Sequence, residues 1–316
     1  MANSADILES LNRYPPAASG SIAYNFLVPN LKGLENLLRA YDAALPTKSE
    51  DPASLQHRDA PLTPPPSPKP GQMASEPAPI TSTQHPNAMG SAPLEQFSKP
   101  SLDPPHTYEI SVFLAATEAF SRANTNCSIA ESIDRCKAII SLAKSRSLPV
   151  RGYVSVALGC PYEGPSTPPS EVAEITASLL EMGVDEVSVA DTTGMGTAPK
   201  TRELLKALFA AGISPNDLAL HFHDTYGQAL VNAVVGLEHG IRTFDSSVGG
   251  LGGCPFSKGA TGNVSTEDLV HCLHSLGATT GVDLEEMSRI GGWISEELGR
   301  PNESRAGKAI LSRLNS

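Results

Sequence analysis

Six short β-branched or apolar runs recur along the chain, and what lies between them constrains the fold more than any other feature. The runs are Ile22 to Pro29, Tyr108 to Ala115, Val150 to Leu158, Glu186 to Asp191, Leu218 to Asp224 and Thr243 to Gly249. Stretches of helical period separate them. Ser128-Ile129-Ala130-Glu131 has the form of a capping box, in which each side chain accepts the other residue's backbone N–H. Ile129, Ile133, Cys136, Ile140 and Ala143 follow at helical spacing. Thr167-Pro168 reads as the cap and first-turn proline of another helix. Its stripe is Val172, Ile175, Leu179 and Met182, and Gly183 ends it. Strands alternating with helices mean a parallel sheet, because a parallel neighbour is reached only by a crossover. No Gly-x-Gly-x-x-Gly follows the first run, which disfavours a dinucleotide-binding fold. A chain of 316 residues is one large barrel or two ordinary domains. In a (β/α)8 barrel, functional side chains sit at the carboxyl ends of the strands. Asp191, His221, His223, Asp245, Ser246 and Ser247 all fall there. Closure needs about eight strands, whereas six runs are visible.

One segment can belong to no such core. Of the 27 prolines, 15 lie between Pro46 and His106. From Thr47 to His106 the large aliphatic residues are Leu55, Leu62, Ile80, Leu94 and Leu102, and Phe97 is the sole aromatic. So little apolar surface cannot offset the entropy of ordering the chain. The segment reads as a disordered insertion, foremost a tolerated surface loop and secondarily a polyproline site for a partner. The organisation is then an N-terminal part of an incomplete barrel (1–46), the insertion (47–106), the main barrel part with the site residues (107–300) and a C-terminal tail (301–316). Met1 to Glu9 carries Asp6 and Glu9 before any Arg. It is therefore neither a signal nor a transit peptide, and reads as a helix of a chain that begins within a domain.

Composition excludes several function classes. A net charge of -11 repels phosphate backbones, and 5% aromatics with one Trp supply no stacking platform, so no nucleic acid is expected. The apolar runs are too short to span a bilayer, so no membrane is expected. Five cysteines in a chain this long form no disulfide framework, which fits a reducing compartment.

Chemistry concentrates in three segments. In Leu218-Ala219-Leu220-His221-Phe222-His223-Asp224-Thr225, the two histidines are two apart and face one side of a strand. Two imidazoles on one face at a strand end suit half of a divalent-cation site. Hydrogen-bonded core histidines are the plainer alternative. In Asp245-Ser246-Ser247-Val248-Gly249-Gly250-Leu251-Gly252-Gly253-Cys254-Pro255, four glycines in five positions predict a mobile loop with a functional thiol, Cys254, at its tip. Cys136 and Cys272 read as packing residues. Gly259-Ala260-Thr261-Gly262-Asn263 precedes a helix opening near Ser265. The Asn263 amide there suits either a metal's oxygen shell or an Asx-turn.

Taken together, Arg151-Gly152-Tyr153-Val154-Ser155, Leu158 to Gly164, Asp191-Thr192-Thr193-Gly194, His221 to Gln228, Ser246 to Pro255 and Gly262-Asn263 resemble the hydroxymethylglutaryl-CoA lyase family. Leu27 to Gly33 resembles the family's third strand and the turn after it. The resemblance implies a TIM barrel of the metallolyase type, with about six of its eight strands present. It implies a retro-Claisen cleavage of 3-hydroxy-3-methylglutaryl-CoA to acetyl-CoA and acetoacetate, supported by Mg or Mn. By resemblance, His221, His223 and Asn263 are metal ligands and His221 also moves protons. Cys254 is the catalytic thiol, and Asp191, Thr192 and Tyr153 contact substrate. The family is typically mitochondrial, with a cytoplasmic location the alternative here, and a homodimer is expected. Its Arg-Asp-Gly strand and the Glu of its second strand are not found in this sequence, so the chain is expected to be nearly inert. It reads as an incomplete gene model or splice form of an active lyase, which the retained site residues favour. The alternatives are a degenerate noncatalytic protein recruiting a partner through the Pro-rich segment, and a Claisen-type synthase, which the Cys254 loop disfavours.

Overall fold

The computed structural model describes residues 4–13, 22–44, 106–253, 262–314 and 316. The Pro-rich segment, Cys254 and the rest of the loop tip lie outside the described residues. Among the described residues six parallel strands form a single sheet in chain order. They are β1 (Ile22–Leu27), β2 (His106–Ala115), β3 (Val150–Ser155), β4 (Glu186–Asp191), β5 (Leu218–Phe222) and β6 (Thr243–Asp245). All six sequence runs are thus strands. Helices lie in the crossovers: α2 (Leu31–Ala44) follows β1, α3 (Glu118–Thr125) and α4 (Ile129–Ser145) follow β2, α5 (Pro169–Glu181) follows β3, α6 (Ala198–Ala210) follows β4 and α7 (Ala229–Glu238) follows β5. The first helix, α1 (Ser4–Arg13), packs on α2. After β6 come α8 (Thr266–Ser275), α9 (Leu284–Glu297) and α10 (Arg305–Leu314).

Period two decides what each strand presents. On β3, Val150, Gly152 and Val154 are buried while Arg151, Tyr153 and Ser155 alternate with them. The first set joins a core built with helix residues such as Ile139, Ile140, Leu179, Leu204 and Leu208. The second set faces the concave side of the half-barrel. Neighbouring parallel strands keep this parity in register, so one face is apolar under the helices and the other is polar.

Local signals explain most helix starts. The capping box at Ser128 and Glu131 is formed. Ser265 accepts the N–H of Asp268 and opens α8. Thr167 does not cap α5, because its hydroxyl turns inward and donates to the Val156 carbonyl at 2.7 Å. Pro168 stands at the cap position instead, and Pro169 begins the helix. Residues 301–316 are more than a tail: α10 packs on α9 and α8 and buries Ile310. Sequence reading passed over it although Ala306, Ile310 and Leu314 recur at helical spacing; its buried residues are Gly307 and Ile310.

Candidate active site

The concave face opens into a cleft of about 490 Å³ lined by Asn25, Ser111, Phe113, Tyr153, Thr192 and His221 among others. These residues come from the carboxyl halves of β1 to β5, where a barrel keeps its chemistry. His221 lies on β5 and His223 just past it, with ring centroids 5.3 Å apart. Their spacing of two puts both on the concave side, as the sequence predicts. His223 is buried at 6% exposure, and it pairs as an antiparallel bridge with Asn263. The Asn263 amide is fixed by donation to the Leu251 carbonyl at 2.9 Å. Its oxygen is buried and has no hydrogen-bond partner among the described residues. A buried acceptor of this kind calls for a donor or a cation.

The site therefore offers two imidazoles and one orphaned amide oxygen. Among the described residues no group of three or more His, Cys, Asp or Glu side chains gathers around a common point. The fit to a divalent cation is thus partial, with neutral donors and no carboxylate.

A charged network backs His221. Its Nδ1 stands 3.3 Å from Asp245 Oδ2. Asp245 also accepts the Ser188 hydroxyl at 2.7 Å, and its Oδ1 is ion-paired with Arg151 Nη2 at 2.8 Å. Arg151 Nε faces Glu186 at 3.0 Å, and the guanidinium lies 5.2 Å from the Tyr153 ring centroid. The edge of Tyr153 in turn meets His221, with centroids 6.5 Å apart. Burial alone raises the Asp245 carboxyl, but the contact with His221 and the Arg151 charge overcome it and hold the group below its ordinary value. Burial, with Asp245 nearby, pushes the Tyr153 phenol up to about 12. Tyr153 is accordingly neutral, a hydrogen-bonding rather than a charged wall.

Thr192 and Asp191 separate by strand parity. Thr192 lines the cleft and accepts the Val156 N–H at 2.9 Å. Val156 is a buried β-branched residue at φ 55°, a left-handed conformation held by this bond and by Thr167. Asp191, one residue earlier, points the other way. It is fully buried and accepts the Gly196 N–H at 2.9 Å, with the Thr193 hydroxyl at 3.4 Å. Burial pushes its carboxyl up to about 6. Asp191 is not among the residues that line the cleft, and its carboxylate pins the loop after β4 through the Gly196 N–H.

The glycine run is also other than expected where it is described. Val248–Gly250 is a tight 3-10 turn with Gly249 at φ 61°, a conformation that favours glycine. The Gly249 N–H donates to the buried Glu267 carboxylate at 2.9 Å, and the Glu303 N–H donates to the Gly249 carbonyl at 3.1 Å. This base of the loop is anchored rather than free. Cys136, Cys127 and Cys160 are buried free thiols, and burial raises Cys136 to about 12. Sequence reasoning assigned no role to Arg151 or Ser188, and placed Asp245 at a strand end without a partner. Their common parity on β3, β4 and β6 is the signal that could have joined them.

A parallel α/β sheet with polar side chains massed at the carboxyl ends of its strands, above a concave cleft, is the arrangement of a TIM-barrel enzyme, here as a six-stranded part of the barrel. Comparison with known proteins makes the class specific. The HMGL-like family model matches residues 104–294, and the chain belongs to that family. It is 51% identical over 205 residues to hydroxymethylglutaryl-CoA lyase of Pseudomonas mevalonii, covering 65% of this chain and 67% of that protein. To mitochondrial hydroxymethylglutaryl-CoA lyase of Arabidopsis thaliana it is 49% identical over 206 residues, covering 65% of this chain and 44% of the relative. The match thus spans between less than half and about two thirds of these relatives' length. The crystal structure of hydroxymethylglutaryl-CoA lyase from Pseudomonas aeruginosa superposes with a TM-score of 0.73 at 37% identity, over 99% of this chain and 80% of that one.

Proposed function

We propose that the chain is a carbon–carbon lyase that cleaves 3-hydroxy-3-methylglutaryl-CoA to acetyl-CoA and acetoacetate. The observation that carries this reading is the pair of imidazoles 5.3 Å apart at the end of β5, of which His221 lines the cleft and His223 lies beside the orphaned Asn263 oxygen. The relatives' names support the acyl-CoA substrate. His221, His223 and Asn263 would hold Mg or Mn. Bound there, such an ion lowers the pKa of a hydroxyl and neutralises developing negative charge.

The chain's own residues do the rest. His221 lines the cleft with Nδ1 engaged by Asp245, so its one remaining lone pair would serve either the ion or, with His223 and Asn263 holding the ion, the proton of the tertiary hydroxyl, but not both at once. Tyr153 and Thr192 wall the cleft and orient the ligand. Cys254 is assigned the thiol that protonates the carbon left beside the thioester. A mitochondrial location follows the Arabidopsis relative's name.

The three neutral donors hold a hard cation weakly. We therefore expect the 316-residue chain alone to turn over slowly. The test is acetoacetate formation from 3-hydroxy-3-methylglutaryl-CoA with Mg or Mn, against His221→Ala and His223→Ala. Slow, metal-stimulated cleavage lost in both variants supports the reading. Cleavage that survives both substitutions, or condensation of acetyl-CoA with a 2-oxo acid instead, overturns it.

A further inference from the structure

The four-residue network behind His221 lies outside the cleft and makes no contact the cleavage chemistry requires. Asp245 is the end of β6, Ser188 the middle of β4 and Arg151 the start of β3, so three strands converge on one carboxylate. Its two oxygens are not equivalent. Oδ1 faces the Arg151 guanidinium at 2.8 Å, while Oδ2 receives the Ser188 hydroxyl at 2.7 Å and stands 3.3 Å from His221 Nδ1. Arg151 is itself held from behind by Glu186 at 3.0 Å and by the Tyr153 ring face. The arginine and aspartate side chains are 13% and 15% exposed, so water competes poorly for these contacts.

We propose that Asp245, oriented by Arg151 and Ser188, is a positioning residue that locks His221 in the Nδ1–H tautomer and leaves Nε2, unprotonated, as the nitrogen presented to the cleft. An ionised carboxylate can only accept, so the Nδ1 it faces must donate. A ring nitrogen that binds a metal or takes a proton must carry a free lone pair, and a carboxylate behind the other nitrogen secures that. Arg151 supplies the third layer, since it decides which carboxylate oxygen is left for the histidine. The role deepens the lyase reading and rests on it for its catalytic consequence, whereas the tautomer itself does not.

The test uses the metal-free 316-residue chain and long-range proton–nitrogen correlation of the histidine rings, with His221 assigned by His221→Gln. At about pH 8.5 an ordinary imidazole is neutral and its tautomer is read directly. Wild-type His221 should show Nδ1–H. In Asp245→Asn, Arg151 demands the amide oxygen at the Oδ1 position, so the NH2 group turns to His221. That donor forces Nδ1 to accept, and the ring should switch to Nε2–H. The isosteric change keeps the packing, and an unchanged circular dichroism spectrum checks the fold. A wild-type ring already in the Nε2–H form, or an Asn variant that keeps the wild-type pattern, overturns the proposal. Mn2+ titration followed by electron paramagnetic resonance separates the two readings. Metal binding by the wild type that weakens at least ~10-fold in Asp245→Asn supports both. Binding unchanged in a ring that has switched overturns the positioning role. No Mn2+ binding by the wild type counts against the metal part of the lyase reading, and the ring pattern then decides the positioning role by itself.

Discussion

Replacing Gly236 by Ala sets two effects of known sign against each other. Gly236 lies on the buried face of α7, which covers β5 and β6. In an exposed helix the change gains ~1 kcal/mol, because Ala leaves less backbone entropy to lose. Here the new Cβ would stand 2.4 Å from Leu220 Cδ1 and 3.2 Å from a Phe244 ring carbon. Carbon atoms pack at ~3.5–4.0 Å, so Leu220 or the helix must yield by roughly 1.2 Å. Leu220 is 1% exposed, so it must shift within the packed core. Overpacking of this kind costs ~1–3 kcal/mol, and two simultaneous contacts place it toward the upper end. The net expectation is a loss of about 1–2 kcal/mol after the helix gain is subtracted. Urea unfolding should show a lower midpoint with an unchanged slope. The decisive comparison is with Leu220→Ala, which alone costs ~2–5 kcal/mol by leaving a cavity. In that background the 2.4 Å contact is gone and the vacated space lets Phe244 give the few tenths of an ångström its 3.2 Å approach needs, so Gly236→Ala should stabilise by up to ~1 kcal/mol. The sign of one substitution thus reverses with its neighbour. An equal loss in both backgrounds would refute the close approach of α7 to β5.

Two further outcomes follow from the loop that closes the top of β4. The Asp191 carboxyl is raised from 3.8 to about 6 by burial. A raised carboxyl makes the folded state bind the extra proton between these values, so its contribution is fully present below about 3.8 and is lost as pH rises through about 6. Two pKa units correspond to ~3 kcal/mol. Asp191→Asn keeps an acceptor for the Gly196 N–H and should flatten that part of the stability profile, and urea midpoints at about pH 4.5 and 7 check it. A slope identical to wild type would count against the burial of the charge. Thr192→Val leaves the Val156 N–H buried without its acceptor and should cost ~1–3 kcal/mol. Thr192→Ser should lose much less, and equal falls in melting temperature for the two variants would contradict the bond.

The strand order and the histidine pair were legible in the sequence because both express one period. Alternation along Leu218 to His223 puts His221 and His223 on one side whatever the details of packing. The same rule, applied to β4, would have parted Asp191 from Thr192, yet its placement at the strand's last residue suggested a site role instead. Thr167 shows a different limit. A Thr before Pro-Pro has the form of a cap, but the buried carbonyl of Val156 competes for its hydroxyl and wins, a tertiary effect that no local pattern contains. The α10 stripe was present in the sequence, since Ala306, Ile310 and Leu314 recur at helical spacing, but it lies beyond the last motif of the site and was passed over as a tail. The glycines of the thiol loop are ambiguous in another way. Positive φ at Gly249 serves a fixed turn around the Glu267 carboxylate, and composition alone cannot tell such a turn from a free one.

What remained hidden was the charge arrangement, and it decides how the site can bind a cation. Three carboxylates face the concave side around Arg151: Glu186 and Asp245 as ion pairs, and Glu109 through its field. Each was a plain acidic residue in the sequence, any one of which could have served a metal. Pairing with a guanidinium turns Asp245 away from that service, since its oxygens are already engaged by Arg151, Ser188 and His221. The donors left at the strand ends are therefore neutral, and neutral nitrogen and amide donors discriminate poorly in favour of Mg or Mn. The negative oxygens a hard cation needs would have to come from the ligand in the cleft or from residues beyond the described ones. On the proposed lyase reading, an acyl-CoA substrate bearing a carboxylate and a tertiary hydroxyl would supply them, which would tie metal affinity at this site to occupancy of the cleft.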